Sequence, residues 1–182
     1  QLSGVKKRIG VSVRQWKQST SYRKELATAL DTLQETLDVD VVFIPMQHPA
    51  DTAEAEAISC MMKYKPVVLN RVYTTTELLA LAGSMDMLIG VRLHALVFAS
   101  LMEKPVIGIS YDPKIANFLH MIGEVPIGTL DDISADALTT EATKVLTDRA
   151  LQNEVRQRII SLREESLKNA HIALSLLSKK VE

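Results

Sequence analysis

Five short apolar segments, separated by stretches with helical periodicity, constrain the fold of this chain more than any other feature of its sequence. Runs such as Val-Val-Phe-Ile-Pro and Pro-Val-Ile-Gly-Ile show little alternation between polar and apolar residues. Strands of this kind are typical of a parallel sheet that is covered by helices on both faces. The predicted strands cover residues 8–13, 39–46, 66–69, 87–91 and 105–110, with residues 125–127 as a short sixth.

The segments between the strands carry signals for helices. Thr74 with Glu77 forms a capping box, and Asp112 with Pro113 supplies an N-cap and a proline at the first helical position. Four leucines recur at steps of four, three and four and so lie along one stripe of a helix: Leu26, Leu30, Leu33 and Leu37.

Further helices are predicted from Asp51, as the cap, to about residue 63, and over the nearly all-apolar residues 93–102. Ser134 and Asp148 look like caps of later helices. Residues 149–180 would form a helix about 48 Å long. The alternation predicts one doubly wound, Rossmann-like α/β domain with a core over about residues 8–147, followed by this long C-terminal helix.

Composition narrows the class of protein. The 182 residues fit one domain, and shares of 47% hydrophobic and 24% charged residues exclude a disordered or fibrous chain. The net charge is -1, and no like-charge run exceeds Lys6 to Arg8, so a nucleic-acid-binding face is disfavoured. The longest uncharged apolar stretch, residues 93–102, is far below the roughly 20 residues that cross a bilayer.

Several well-known sites are missing from the sequence. No G-x-G-x-x-G follows the first predicted strand, and the chain has neither a Walker A motif nor a G-x-S-x-G elbow. No cluster of His, Asp and Glu has metal-ligand spacing, so neither a metal nor a cofactor is predicted. The one cysteine, Cys60, can form no internal disulfide, and we expect it to be an inert thiol in the core.

Cationic or titratable residues follow the predicted strands. In an open parallel sheet these positions meet at one edge, which is where ligands bind. In a chain with a net charge of -1, such a concentration of positive charge favours an anionic ligand. The series consists of Arg14, His48, Arg71, Arg92, His94 and Lys114.

The segment Gly90-Val-Arg-Leu-His94 is the sharpest of these signals. Gly90 ends a strand, Arg92 lies in the turn, and His94 begins a helix whose unpaired N–H groups also attract anions. Arg92 can hold a carboxylate or phosphate through two parallel hydrogen bonds, and His94 can exchange a proton near neutral pH. The alternative is that both side chains merely cap the helix or pair with a carboxylate.

Each remaining candidate has a structural alternative. Arg14 could bind the ligand or stack on Trp16 as a cation–π pair. His48 could bind substrate or be an ordinary loop residue. Lys114 lies in the first turn of a helix, where a cation is unfavourable without an anion nearby, so a binding role is favoured. Arg71 is interpreted as a solvated loop charge.

The block from Ala82 to Lys114, with its Gly-Val-Arg-Leu-His and Asp-Pro-Lys motifs, resembles the polysaccharide pyruvyl transferase family, especially its bacterial cell-surface polymer branch. Arg14 and the segment from Ile44 to Asp51 add to the resemblance, which runs from about residue 8 to residue 123. It implies a glycosyltransferase-B-like (GT-B) architecture of two Rossmann-type domains. This chain is then expected to be the carboxyl-terminal, donor-binding domain, with the N-terminal acceptor domain absent.

The resemblance also implies an enzyme that transfers a pyruvyl ketal from phosphoenolpyruvate to a sugar of a cell-surface polysaccharide or its lipid-linked precursor. It implies His94 as the acid-base residue, assisted by Arg92, and Leu93 against the enol. The expected substrate-binding residues are Arg14, His48, Arg92, Leu93 and Lys114. The expected location is the cytoplasm, or the inner membrane face as a peripheral protein, and we expect the isolated chain to be inactive.

Two rival functions stay open. A nucleotide-sugar glycosyltransferase of the same architecture would need a site for a base and a ribose at the same edge. A non-catalytic, receiver-like interaction domain would need acidic residues after the first strand, where this chain has Arg14. The acceptor sugar cannot be read from the sequence, because half of the expected cleft would lie on another domain.

Overall fold

A computed structural model describes residues 6–16 and 20–178 of the chain. The described strands pair in parallel throughout, which confirms the predicted doubly wound α/β fold. In chain order they are β1 (Arg8–Ser12), β2 (Asp40–Phe43), β3 (Val67–Val68), β4 (Met87–Gly90), β5 (Val106–Ser110) and β6 (Gly128–Thr129). Their order in the sheet is β3-β2-β1-β4-β5-β6.

Helices connect the strands and extend beyond the last one. They are α1 (Ser21–Leu37), α2 (Ala50–Ser59), α3 (Thr75–Gly83), α4 (Leu93–Leu101), α5 (Pro113–Met121), α6 (Ala135–Thr147) and α7 (Arg149–Ser178). The capping box of Thr74 with Glu77 and the N-cap of Asp112 with Pro113 are confirmed. Within the described residues, no helix combines the length and the apolarity that crossing a membrane would require.

The centre of the sheet is the pair of neighbouring strands β1 and β4, where Ser12 lies opposite Gly90. The chain winds outward from this pair in both directions, through β2 and β3 on one side and β5 and β6 on the other. The strands all point the same way, so their carboxyl ends form one edge, called the carboxyl edge below. The change of winding direction between β1 and β4 makes this edge the expected ligand site.

Buried side chains fill the space on both faces of the sheet. Met87 and Ile89 of β4 face one core cluster, which contains the buried leucines of α1 and α6. Leu88, between them, faces a second cluster under α4 and α5. Successive side chains of β4 thus face opposite sides of the sheet, and both sides are buried. This is why the strand is apolar at every position.

Three predictions, two about element boundaries and one about burial, are wrong. The sixth strand lies at Gly128–Thr129 rather than at residues 125–127. Ile127 N donates to Gly108 O, but Pro126 has no N–H to donate and Val125 is exposed. The helix expected from Asp51 to residue 63 is α2, which ends at Ser59 and has Pro49 as its N-cap residue. Cys60 follows this helix and is exposed, so the expected core thiol is wrong.

Helix α7 confirms the predicted long C-terminal helix, although predicted residues 179–180 lie outside the described part. Its first half packs on the domain, with Val155 and Ile159 buried. The second half carries exposed apolar side chains, including Leu167, Ile172 and Leu174. Among the side chains of α7 that the structure describes, those buried in the core of this domain lie in the first half.

The close approach of α4 to β4 gives a stability prediction. A Cβ atom added at Gly90 would lie 2.8 Å from Leu96 Cδ2 and 3.1 Å from Leu88 Cδ2. We expect Gly90→Ala to lower the free energy of unfolding by about 1–3 kcal/mol, the usual cost of overpacking, as measured by chemical denaturation. In a double-mutant cycle with Leu96→Ala this cost should shrink, because the shorter side chain makes room; an unchanged cost would contradict the packing explanation.

Candidate functional site

The carboxyl edge brings together residues that follow β1, β2, β4 and β5. Arg14 follows β1 by two residues, and Arg92 is the N-cap residue of α4 after β4. Lys114 lies in the first turn of α5, after β5. The prediction that these segments meet at one edge is confirmed by the parallel sheet.

Arg92 is paired with the buried carboxylate of Asp51 on α2. Arg92 Nε donates to Asp51 Oδ2 at 3.0 Å, and Arg92 Nη2 donates to Asp51 Oδ1 and to Gln47 Oε1, the latter at 3.1 Å. The carboxylate pairing considered as an alternative for Arg92 is therefore present. Arg92 Nη1 has no hydrogen-bond partner among the described residues, so the N–H groups of this one nitrogen stay available.

Asp51 also orders the loop after β2. The sequence predicts Asp51 only as a helix cap and does not predict this role. Its Oδ2 atom accepts from Met46 N at 3.0 Å and from Gln47 N at 2.8 Å. Together with the bonds from Arg92, these contacts satisfy a side chain that is only 1% exposed. A buried carboxylate is stable only when its oxygens are bonded in this way.

Arg14 is held by aromatic rings rather than by a carboxylate. Its Cζ lies 4.8 Å from the centre of the Tyr111 ring and 5.4 Å from that of Trp16, and Arg14 Nη1 donates to the Tyr111 hydroxyl. The cation–π contact with Trp16, which is the structural alternative for Arg14, is thus present. Arg14 Nε is buried and unpaired, and among the described residues no carboxylate forms an ion pair with this guanidinium.

Lys114 approaches the same tyrosine, since its Nζ lies 5.9 Å from the Tyr111 ring centre. It also forms an exposed ion pair with Asp112 Oδ2 at 3.2 Å. The backbone N–H of Lys114, followed by its side chain, lowers the pKa of Asp112 below its usual value. Arg14 and Lys114 are thus brought together around one aromatic ring.

His94 is exposed in the first turn of α4, and its ring centre lies 6.4 Å from that of Phe98. Among the described residues it forms no hydrogen bond or ion pair with another candidate. Leu93, beside it, is half-buried and packs against the core under α4 and α5. His48 is exposed, and its Nδ1 lies 3.1 Å from Thr52 Oγ1.

Arg71 contacts none of these groups among the described residues, as expected of a solvated loop charge. It is exposed, pairs with Glu77 at 2.8 Å and stacks on Tyr73, with 4.1 Å from its Cζ to the ring centre. The hydrogen bond from Thr74 N, with a further contribution from Arg71, lowers the pKa of Glu77 to about 2. Within the described part of the chain, no group of three or more His, Cys, Asp or Glu side chains could hold a metal ion.

A family comparison identifies the chain. A sequence profile described as polysaccharide pyruvyl transferase matches residues 2–113, more than half of the 182 residues. The chain belongs to the polysaccharide pyruvyl transferase family. Arg14, Arg92 and His94 lie within the matched segment, and Lys114 follows it directly. The comparison with curated proteins finds no match.

Solved structures place this family member among GT-B-type domains. S. aureus MnaA in a structure with UDP has a TM-score of 0.66 at 13% identity, covering 84% of this chain and 40% of that one. A Neisseria meningitidis UDP-GlcNAc 2-epimerase bound to UDP-GlcNAc has a TM-score of 0.57 at 9% identity, covering 90% and 45%. At these identities the likeness shows the fold alone, and the chain spans less than half of either protein.

A third structure corresponds to one domain only. It is the C-terminal domain of the group 1 glycosyl transferase LpcC from Francisella tularensis, with a TM-score of 0.61 at 15% identity. The match covers 86% of this chain and 83% of that domain. The pyruvyl transferase family member therefore has the fold of the C-terminal half of a GT-B architecture.

Sequence reasoning missed a second buried carboxylate in this family member. Glu54, three residues after Asp51 on α2, accepts from Arg23 Nε at 2.8 Å and from Arg23 Nη2 at 2.7 Å. The hydroxyl of Tyr22 bonds to Glu54 and lies 3.0 Å from Arg14 O. Burial, followed by the bond to Glu54, raises the pKa of Tyr22 well above its usual value.

The Asp51–Arg92 pair gives a second stability prediction. We expect Asp51→Ala to lower the free energy of unfolding by about 3–5 kcal/mol, because it leaves the mostly buried Arg92 without its partner. The matched control is Glu35→Ala, which breaks the exposed pair with Lys63 and should cost less than about 1 kcal/mol. Equal losses in chemical denaturation would contradict a structural role for the buried pair.

Proposed function

We propose that this chain supplies the donor site of an enzyme that transfers a pyruvyl group from phosphoenolpyruvate to a sugar. The acceptor belongs to a cell-surface polysaccharide or its lipid-linked precursor, and the reaction takes place in the cytoplasm or at the inner membrane face. The observation that carries the proposal is Arg14, a guanidinium at the carboxyl edge with aromatic neighbours and no carboxylate partner among the described residues. Membership of a pyruvyl transferase family supports phosphoenolpyruvate as the anion.

The donor carries a carboxylate and a phosphate, and the edge offers groups for both. Arg14 is suited to forked hydrogen bonds with these anions, and the free Nη1 of Arg92 can donate further hydrogen bonds to them. Lys114 adds a point charge, because its exposed pair with Asp112 costs little to rearrange. The first turn of α4 adds N–H donors and the positive end of a helix dipole. His48 is a further proposed substrate ligand beside Gln47.

The proposed reaction begins with the addition of a proton to the donor methylene. A hydroxyl of the sugar then attacks the resulting oxocarbenium-like carbon and loses its own proton. The C–O bond to phosphate then breaks, and the phosphate leaves with the bonding electron pair and one proton. A second sugar hydroxyl attacks the same carbon, loses its proton and closes the cyclic ketal. The products are the pyruvylated sugar and inorganic phosphate.

The proposed site residues have different roles in these reaction steps. His94, exposed at the start of α4, carries the proton to the methylene or accepts one from a hydroxyl. Arg92 and Lys114 stabilise the charge of the departing phosphate. Leu93 supplies an apolar surface for the enol.

Phosphoenolpyruvate binding tests the donor site. In calorimetry with the 182-residue chain, we expect Arg14→Gln to weaken binding about 10- to 100-fold, because one charged, forked contact is lost. Arg71→Gln is the matched control, since Arg71 also stacks on a tyrosine but contacts none of the proposed site residues among those described. Wild-type affinity in a folded Arg14→Gln chain would contradict the assignment.

Turnover tests the role of His94. In the two-domain enzyme, which provides an acceptor wall as well as this donor site, we expect His94→Gln to lower turnover about 10²- to 10⁴-fold. Donor affinity should change far less, because the arginines carry it. The melting temperature of His94→Gln should equal that of the unmodified protein, because His94 is exposed. Near-wild-type turnover would leave His94 as an anion ligand or a helix cap.

A nucleotide-sugar glycosyltransferase is the second candidate. The similarity in fold to proteins with UDP or UDP-GlcNAc bound favours it. Competition calorimetry separates the two functions. Binding of UDP that excludes phosphoenolpyruvate, or binding of UDP with no binding of phosphoenolpyruvate, would favour the nucleotide-sugar reaction.

A further inference from the structure

A cavity of about 350 Å³ lies at the carboxyl ends of β5 and β6. Trp16 and Tyr111 form part of its wall, and Asp131 and Ser110 contribute polar groups. Its volume is within the range of small-molecule sites. Neither Arg92 nor His94 lines it, so it is separate from that part of the proposed donor site.

The aromatic wall consists of two rings that pack against each other. The ring centres of Trp16 and Tyr111 lie 4.6 Å apart at an interplanar angle of 47°. Both rings are partly buried and pack against the larger core cluster, while they also line the cavity. The C–H face of a sugar ring is apolar, and fixed aromatic rings of this kind offer a matching surface at little entropic cost.

The polar groups point to a ligand rich in hydroxyls. The carboxylate of Asp131 is exposed and has no hydrogen bond or ion pair with any described residue. Carboxylate oxygens accept hydrogen bonds only, so they suit hydroxyl donors and repel a phosphate or carboxylate. A cationic ligand is disfavoured as well, because Arg14 and Lys114 already lie 4.8 Å and 5.9 Å from the Tyr111 ring centre.

We infer that this cavity binds a sugar ring of the acceptor glycan, with the ring against Trp16 and Tyr111 and hydroxyls bonded to Asp131. The inference rests on the proposed function and adds to it, because the acceptor site was expected on another domain. Arg14 connects the two sites. It contacts the two rings that also line the cavity, so a sugar in the cavity and the proposed donor anion would be neighbours.

The chain has a single tryptophan, Trp16, which makes its fluorescence a direct probe of the cavity. The unmodified chain is titrated with the methyl β-glycosides of glucose, galactose, N-acetylglucosamine and N-acetylmannosamine. We expect a saturable change in emission with at least one of them. Asp131→Ala should weaken that binding about tenfold, the effect of losing one hydrogen bond to a charged group. Glu56→Ala, which removes an exposed carboxylate of α2, is the matched control and should bind like the unmodified chain.

Two results would overturn the inference. One is the absence of a saturable response to all four glycosides up to about 50 mM, far above the millimolar dissociation constants of weak ligands. The other is a response that Asp131→Ala leaves unchanged. Calorimetry of the unmodified chain with phosphoenolpyruvate keeps the two proposals apart. Sugar binding without donor binding contradicts the proposed function alone, and donor binding without sugar binding contradicts this inference alone.

Discussion

The ion pair between Asp51 and Arg92 is the contact on which the carboxyl edge depends. β1 lies between β2 and β4 in the sheet, so this pair bridges the end of β1 and joins the loop after β2 to the start of α4. Leaving such a carboxylate buried without partners costs several kcal/mol, so the two loops and α2 must assemble together. The backbone N–H groups of Met46 and Gln47 complete its hydrogen bonds.

Helix α2 carries a second buried carboxylate, Glu54, which is bonded to residues of α1. Glu54 binds Arg23 and Tyr22 of α1, and the Tyr22 hydroxyl lies 3.0 Å from the carbonyl oxygen of Arg14. One short helix therefore orders both loops that carry the proposed donor-binding arginines. It neutralises Arg92 directly, whereas it holds only the backbone of Arg14, whose charge stays without a carboxylate partner among the described residues.

The sequence patterns that predicted the fold are local ones. Apolar runs, a leucine stripe and the capping box at Thr74 depend on neighbours within a few residues, and the structure confirms them. The buried pairs could not be predicted in this way, because Asp51 and Arg92 are 41 residues apart in the chain and Tyr22 and Glu54 are 32 apart. Local patterns predict that an acidic residue at the start of a helix is its cap, and for Asp51 this prediction is wrong. The cationic residues after the strands were found because the carboxyl edge follows from parallel topology alone.

The geometry of Arg92 decides whether Asp51 opposes or assists an anionic ligand. If the ligand had to displace Asp51, binding would leave a buried carboxylate unpaired at a cost of about 3–5 kcal/mol. However, Asp51 uses only Nε and Nη2 of the guanidinium, and Nη1 has no partner among the described residues. An anion that approaches Nη1 keeps the ion pair intact and meets a side chain already held in one orientation. The Arg92 side chain then loses its conformational entropy when the protein folds rather than when the ligand binds. Asp51 therefore acts as a positioning group for Arg92 and does not compete with the ligand.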